Sequence, residues 1–333
     1  TFLLVIIGVI VRATDSGLGC PDWPLCHGQV LPSMGDSHGW IEWTHRGVAS
    51  LIGFLVLGLA VLAVGNRRTQ PSLVWPSLLA VVLVGFQAYL GEETVRLGNS
   101  GASVTAHLAS AMALLALLIY ILVRSFHPAR IGGRGASQRF TLVAAFGAVT
   151  TYALLLFGSQ VTATDAALVF PDWPLMGGTF FPPLTAVTTT QVLHRWVAVV
   201  VGLIVVAVAV IAWRTQRRHP AIVRLALIAA VLFPIQAVVG GLQVLTQLDA
   251  WTQTLHLALG AFIWGALAAL VVVSYYTART TAPAGVSSGV SSGAGAGGGR
   301  ETEGENRPRT VGDSVRAYVA LTKPRIIELL LVT

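Results

Sequence analysis

Charged side chains are scarce in this sequence. Asp, Glu, Lys and Arg make up 11% of the 333 residues, whereas 54% are hydrophobic. A soluble domain usually carries about twice that charged fraction, roughly 25%. The net charge is +7, but the sequence lacks a basic patch with interleaved aromatic residues, which argues against nucleic acid as a partner. The composition therefore excludes an ordinary soluble domain and predicts an integral membrane protein.

Long apolar runs take the place of the missing charges, and a membrane-spanning helix needs about 20 such residues. The chain begins without Met inside one run and ends inside another. We therefore expect further residues at both ends, with a cleaved signal peptide as the alternative at the start. We predict eight spans near residues 1–13, 41–64, 72–91, 104–123, 140–161, 190–213, 222–244 and 253–276.

Arginines are distributed unevenly between the loops, and cytoplasmic loops of membrane proteins are the basic ones. This bias predicts outward-facing loops at 14–40, 92–103, 162–189 and 245–252, in a multi-pass protein of a bacterial-type plasma membrane with a cytoplasmic C-terminal tail. The loops after spans 1, 3, 5 and 7 contain Arg12 and Arg96. The loops after spans 2, 4 and 6 contain Arg67, Arg68, Arg124, Arg130, Arg134, Arg139, Arg214, Arg217, Arg218 and Arg224.

The sequence contains an internal repeat of about 150 residues. The motifs V-x-A-T-D and P-D-W-P-L occur at 11 and 21 and again at 161 and 171, and H-R, Q-A and H-L-A at 45, 87 and 107 return at 194, 236 and 256. A repeat unit of four helices keeps the same orientation in both copies. We therefore predict an all-α polytopic membrane protein of two tandem, pseudo-symmetric four-helix bundles, at 1–135 and 136–276.

The C-terminal stretch has a different composition. Residues 277–313 are rich in Gly, Ser and Ala and then in polar residues, a composition that cannot bury enough apolar surface to fold. We expect a flexible cytoplasmic linker there and the start of a new unit at 314–333.

Four of the eight histidines fall in the repeat, each near the start of an even-numbered span. They should lie at similar depth, and two imidazoles on facing helices can occupy both axial positions of a haem iron. Polar residues in membrane spans are costly and usually functional. Helix-packing histidines are the alternative, and zinc fits less well because it prefers Cys or carboxylate ligands nearby. The predicted pairs are His45 with His107 and His194 with His256.

Each half has an arginine directly after its first repeat histidine, Arg46 and Arg195. A guanidinium in this position can bind a haem propionate through two parallel hydrogen bonds. Snorkelling to the outer lipid headgroups explains the same residues equally well.

The two halves differ in their carboxylates. Glu42 lies three residues before His45, on the same helix face and one turn outward, whereas the second half has Gln191 at this position. We predict a catalytic role for Glu42 in the first half and an electron-transfer role for the second half. A helix N-terminal charge favoured by the dipole is the alternative. Glu92 and Glu93 are likewise replaced by Gly241 and Leu242.

Cys20 and Cys26 are the only cysteines and lie in the first outer loop. A disulfide is plausible in an oxidising compartment. Such a bridge could brace the loop over the first histidine pair, the interpretation that we favour, or relay electrons by thiol–disulfide exchange.

These features together resemble haem A synthase over about residues 1–276: the loop T-D-S-G-L-G-C-P-D-W-P-L-C at 14–26, the E-x-x-H motif at 42–45 and the duplicated histidines. The resemblance implies oxidation of the C8 methyl of haem O to a formyl group, giving haem A for cytochrome oxidase. It also implies a site role for each residue. Substrate haem would be held by His45 and His107, resident haem b by His194 and His256, Glu42 would act at the methyl, and Cys20–Cys26 would be a disulfide.

Residues 318–333 resemble the start of haem O synthase, the protohaem IX farnesyltransferase, without its aspartate-rich motifs. The resemblance implies a fusion of consecutive enzymes and names haem O synthase, fused or associated, as a partner.

A plain di-haem electron carrier explains the histidines equally well but does not require Glu42 or the cysteines. A haem-handling protein or transporter without redox turnover is a third interpretation. Membrane lipid is a further expected partner. The sequence does not identify the electron acceptor, and it leaves open whether the protein forms a homo-oligomer.

Overall fold

The computed structural model describes residues 1–126 and 139–279. Within these residues the chain forms eight α-helices and no β-strand, with short 3-10 turns at Pro71–Leu73 and Ala166–Leu168. The helices are α1 (Phe2–Ala13), α2 (Ser37–Gly65), α3 (Val74–Arg96), α4 (Gly101–Ser125), α5 (Arg139–Ala163), α6 (Thr189–Thr215), α7 (Pro220–Leu245) and α8 (Ala250–Thr277).

All eight predicted helices are confirmed, and most extend beyond the predicted ends. Helix α2 begins early because the Asp36 carboxylate caps it, accepting a hydrogen bond from the Gly39 backbone N–H at 2.8 Å. The polar ends of helices were underestimated because capping and end-turn ion pairs do not alter the apolar pattern that the prediction used.

The predicted loop at 92–103 is wrong in its length. Helix α3 continues to Arg96 and includes Glu92 and Glu93, and Glu93 forms an ion pair with Arg96 at 3.0 Å. Helix α4 then begins after Ser100, whose hydroxyl accepts the Ser103 N–H at 3.3 Å. The connection between the two helices is therefore only four residues long.

Several arginines that we assigned to loops lie within helices instead. Arg124 is buried in the last turn of α4, with its guanidinium 5.5 Å from the ring centre of Tyr276 on α8. A guanidinium over an aromatic face is a favourable cation–π arrangement. The other arginines that we assigned to loops and that lie in helices are Arg12 in α1, Arg96 in α3, Arg139 in α5, Arg214 in α6 and Arg224 in α7.

The described residues include seven helices that are long and apolar enough to cross a membrane, α2 to α8, together with the shorter apolar helix α1. Many large apolar side chains point away from the protein, such as Phe54, which is 73% exposed, and Trp75, which is 79% exposed. Lipid tails are as apolar as these side chains and can surround them. The chain is therefore an all-helical, multi-pass membrane protein.

Three apolar clusters hold the helices together. One cluster lies among α2, α3 and α4 around Ile52 and Leu118, and a second lies among α5 to α8 around Val205 and Leu267. The third joins α4 to α8, where Met112, Leu115 and Ile119 pack against Ala261, Trp264 and Ala268. Helix α1 packs on both α2 and α8.

Two loops matter for the site, and we call them loop A (residues 14–36, between α1 and α2) and loop B (residues 164–188, between α5 and α6). The predicted linker, apart from 277–279, and the predicted unit at 314–333 lie outside the described residues.

Candidate functional site

The four repeat histidines lie near the starts of α2, α4, α6 and α8 and are half-buried. His45 lies near His107, and His256 lies near His194. In all four rings the Nδ1 atom is fully buried and has no hydrogen-bond partner among the residues that the structure describes. Buried polar atoms are normally satisfied, so the four unpartnered nitrogens set these rings apart from ordinary buried histidines.

A glycine on a neighbouring odd-numbered helix packs against each of these imidazoles. A Cβ atom built at Gly8, Gly158 or Gly240 would lie 3.0, 3.2 or 2.9 Å from the Cε1 atom of His45, His194 or His256, and one at Gly91 would lie 3.5 Å from that of His107. Most side chains at the first three positions would therefore push the ring aside. Our sequence prediction missed these glycines, although they follow the repeat: Gly8 and Gly158 are 150 residues apart, and Gly91 and Gly240 are 149 apart.

Further contacts orient His194 and His256 in the second half. The ring of Phe157 meets that of His194 edge to face, with the ring centres 5.9 Å apart. The Gln236 side chain donates a hydrogen bond to the backbone carbonyl of His256 at 2.8 Å. The side-chain oxygen of Gln236, like that of Gln87 in the first half, is buried and has no hydrogen-bond partner among the described residues.

Loop A is closed by a disulfide. Cys20 and Cys26 are both buried and joined by an S–S bond of 2.03 Å, which confirms the disulfide. The Asp22 carboxylate accepts the backbone N–H groups of His27 and Gly28 at 2.6 and 2.7 Å. These donors, Gly28 above all, lower the pKa of Asp22 below its ordinary value because they favour the charged carboxylate.

Glu42 and Arg46 connect helix α2 to loop A. The Glu42 carboxylate, only 3% exposed, accepts the Cys20 N–H at 2.8 Å and pairs with the Arg46 guanidinium. Arg46 also donates to three backbone carbonyls of loop A, those of Cys20 at 2.7 Å, Asp22 at 2.8 Å and Leu25 at 2.9 Å. The guanidinium thus binds the loop itself, a role that neither sequence alternative for Arg46 included.

Loop B is held in a related way, but without a charge pair at its centre. Arg195 donates to the carbonyls of Leu175 at 2.8 Å, Asp172 at 3.0 Å and Phe170 at 3.4 Å. The Gln191 side chain accepts the Phe170 N–H at 2.9 Å, as Glu42 does for Cys20, and donates to the Ala167 carbonyl.

Loop B matches loop A in its turn-forming aspartate but not in its cysteines. The Asp172 carboxylate accepts the N–H groups of Gly177 and Gly178, which lower its pKa. Phe170 and Met176 occupy the positions that correspond to Cys20 and Cys26. Among the described residues, the buried Glu42 carboxylate, its ion pair with Arg46 and the disulfide have no counterpart in loop B or its helix.

Comparison with known proteins identifies the family of the chain. The profile of the COX15-CtaA family, described as cytochrome oxidase assembly protein, matches residues 1–268. The haem A synthase of Geobacillus thermodenitrificans is 31% identical over 85% of this chain and 90% of its own length, and that of Geobacillus kaustophilus is 32% identical over the same shares.

A longer relative also aligns with the chain. A protohaem IX farnesyltransferase of Thermus thermophilus is 30% identical over 99% of this chain, which spans only 53% of that relative. The family match covers most of the chain and both histidine pairs. The chain therefore belongs to the COX15-CtaA family of cytochrome oxidase assembly proteins.

Proposed function

We propose that the chain is a haem A synthase, an oxidoreductase that converts the C8 methyl of haem O into a formyl group. The observation that carries this proposal is the set of four partnerless imidazoles, two in each half. The curated haem A synthases that align with most of the chain support the same activity.

The residues suit a haem in each half. Each pair offers two imidazoles, and among the described residues neither pair belongs to a larger cluster of metal-binding side chains. Neutral imidazole is the form that binds iron. In this proposal His45 and His107 hold the substrate haem, and His194 and His256 hold a resident haem b, which supplies electron transfer when bound. The packing glycines leave little room for a side chain beside His45, His194 and His256.

Glu42 acts at the reacting methyl in the first half. Conversion of the methyl to a formyl group takes two rounds, each of which adds the oxygen of one water molecule and releases two electrons and two protons to acceptors. The resulting geminal diol then loses water. A buried carboxylate one turn from His45 can stabilise the electron-poor carbon and take up its proton. Gln191, at the matching position of the second half, cannot do so.

The matching contacts of the two halves support an origin by duplication, with two pseudo-symmetric bundles. The loop-holding arginines and the histidine-packing glycines recur at offsets of 149 or 150 residues. If the basic loops are cytoplasmic, as their arginine bias predicts, both histidine pairs lie near the outer face in this proposal. Loop A then covers the first pair, braced by its disulfide.

A fusion to haem O synthase fits the same activity. The Thermus relative carries a farnesyltransferase name and is nearly twice the aligned length of this chain. Residues 318–333 resemble the start of such an enzyme. The second unit would then make the substrate of the first, and haem O synthase is the proposed partner.

A membrane host that makes haem O but lacks haem A synthase tests the proposal. After expression of the chain, extraction and chromatography of the membrane haems should reveal haem A or its hydroxymethyl precursor. A di-haem electron carrier, the second candidate, would leave haem O unchanged. Persistence of haem O alone, with the chain present and folded in the membrane, would therefore overturn the synthase assignment.

A further inference from the structure

Loop B packs on helix α7 through the side chain of Trp173. The indole of Trp173 lies directly on the Cα of Gly241 in α7, so that a Cβ atom at Gly241 would be 2.6 Å from Cε2 and 2.8 Å from Cε3 of the ring. Gly241 is buried in this arrangement. Any side chain at this position would therefore displace the indole.

This contact is next to a contact of the histidine pair. Gly240, the preceding residue of α7, packs against the imidazole of His256. Two consecutive glycines thus hold a histidine and the loop tryptophan against the same turn of α7. Movement of Trp173 away from Gly241 would open loop B beside His256.

The first half cannot form the same contact. Trp23 corresponds to Trp173 in the repeated P-D-W-P-L motif, and Glu92 corresponds to Gly241, by the offsets that relate the two halves. By analogy with Gly241, any side chain at position 92 would compete with the indole for the same space. Trp23 is more exposed, at 47%, than Trp173, at 36%.

We propose that Trp173 packed on Gly241 closes the second site and makes its haem resident, whereas Glu92 denies Trp23 this position and leaves the first site open to exchange. This inference rests on the proposed function, because it takes the two histidine pairs as haem sites. It goes further by naming the residues that decide which haem stays and which haem leaves. An enzyme that modifies a haem needs such a difference, since its product must leave while its electron-transfer haem remains.

Haem release from purified protein tests the inference without any measurement of activity. In a His107→Ala background, in which only the second site is loaded, transfer of haem to an excess of apomyoglobin gives the release rate from that site. Gly241→Glu, which copies the first half, and Trp173→Ala, which leaves α7 unchanged, should each accelerate release by at least about tenfold, equivalent to about 1.4 kcal/mol. Trp23→Ala is the matched control and should not alter this rate.

The converse variant tests the first site. In a His256→Ala background, Glu92→Gly frees the position for Trp23 and should slow haem release from the first site, while Glu93→Gly should not. Release from the second site at the parental rate in both Gly241→Glu and Trp173→Ala would overturn the inference. Since Trp173→Ala adds no bulk to α7, it keeps the test valid if Gly241→Glu does not fold.

Haem content and haem release distinguish an error in the haem sites from an error in the role of Trp173. If His194→Ala and His256→Ala proteins retain as much haem as the parent, the assignment of the haem sites is wrong. If those variants lose haem but the Trp173 and Gly241 variants release it at the parental rate, only the closing role of Trp173 is wrong.

Discussion

Arg46 and Glu42 form an ion pair one helical turn apart, and both also bind the backbone of Cys20. The disulfide residue is thereby held from both sides, its carbonyl by the guanidinium and its N–H by the carboxylate. Both Glu42 oxygens are engaged in this network. The residue that we propose as catalytic is therefore also the residue that fixes loop A to α2, and the two roles can be separated by substitution.

Glu42→Gln should preserve loop A but stop the reaction. The amide can still accept the Cys20 N–H, as Gln191 accepts the Phe170 N–H in loop B. Loss of a positioned acid–base group lowers a rate by about 10²–10⁴-fold, so haem A formation should fall by at least that lower factor. The haem content and optical spectrum of the purified protein should stay unchanged.

Glu93→Gln is the matched control for this substitution, because Glu93 pairs with Arg96 at the end of α3. It should form haem A at the parental rate. Parental activity in Glu42→Gln would remove Glu42 from the mechanism.

Arg46→Gln should destabilise the protein more than Arg195→Gln does. Removal of Arg46 leaves the buried Glu42 carboxylate without its cation, which costs about 3–5 kcal/mol for a buried pair. Arg195 binds only backbone carbonyls of loop B, and loss of such partners costs about 1–3 kcal/mol. Thermal unfolding in detergent measures the difference. Equal losses for the two variants would show that the Glu42–Arg46 pair adds nothing to loop A.

The histidine-packing glycines should tolerate alanine to different degrees. Gly240→Ala puts a methyl group 2.9 Å from the His256 ring, whereas Gly91→Ala puts one at an ordinary 3.5 Å from that of His107. We expect the haem-to-protein ratio to fall in Gly240→Ala and to stay near the parental value in Gly91→Ala. Gly85→Ala, where nothing lies within 4 Å, is the control. A haem content that is the same in all three variants would mean that these contacts do not orient the rings.

The turn at Asp22 should loosen in acid. Because folding lowers the pKa of Asp22, the carboxylate stabilises loop A fully above its ordinary pKa of about 3.9. This contribution is lost as the pH falls through the lowered folded value. Protection of the His27 and Gly28 amides from hydrogen exchange should decline over that range, and Asp22→Asn should remove the pH dependence. Protection that does not change with pH in the parent protein would contradict this account.

The apolar pattern was sufficient to predict the eight helices and the histidines near the starts of four of them, because both depend on local sequence. Contacts between distant segments could not be predicted in this way. The binding of Arg46 to the carbonyls of loop A joins residues 20 or more positions apart, and the sequence alone offered only a propionate or the lipid headgroups.

The difference between Glu92 and Gly241 was visible in the sequence, but its physical meaning was not. In the sequence it was one more carboxylate that the second half lacks. The structure adds that Gly241 is the position on which Trp173 packs. The repeat itself held the unused signal, since the glycines beside the histidines recur at the same offsets as the histidines.

The most direct test of the account is the content of low-spin, bis-imidazole haem in purified protein, measured by electron paramagnetic resonance together with haem quantification. The parent protein should show this signal. His194→Ala and His256→Ala should each lose the contribution of the resident haem, and His45→Ala and His107→Ala that of the substrate haem. Undiminished bis-imidazole haem in any of the four variants would contradict the two histidine pairs on which the proposed function depends.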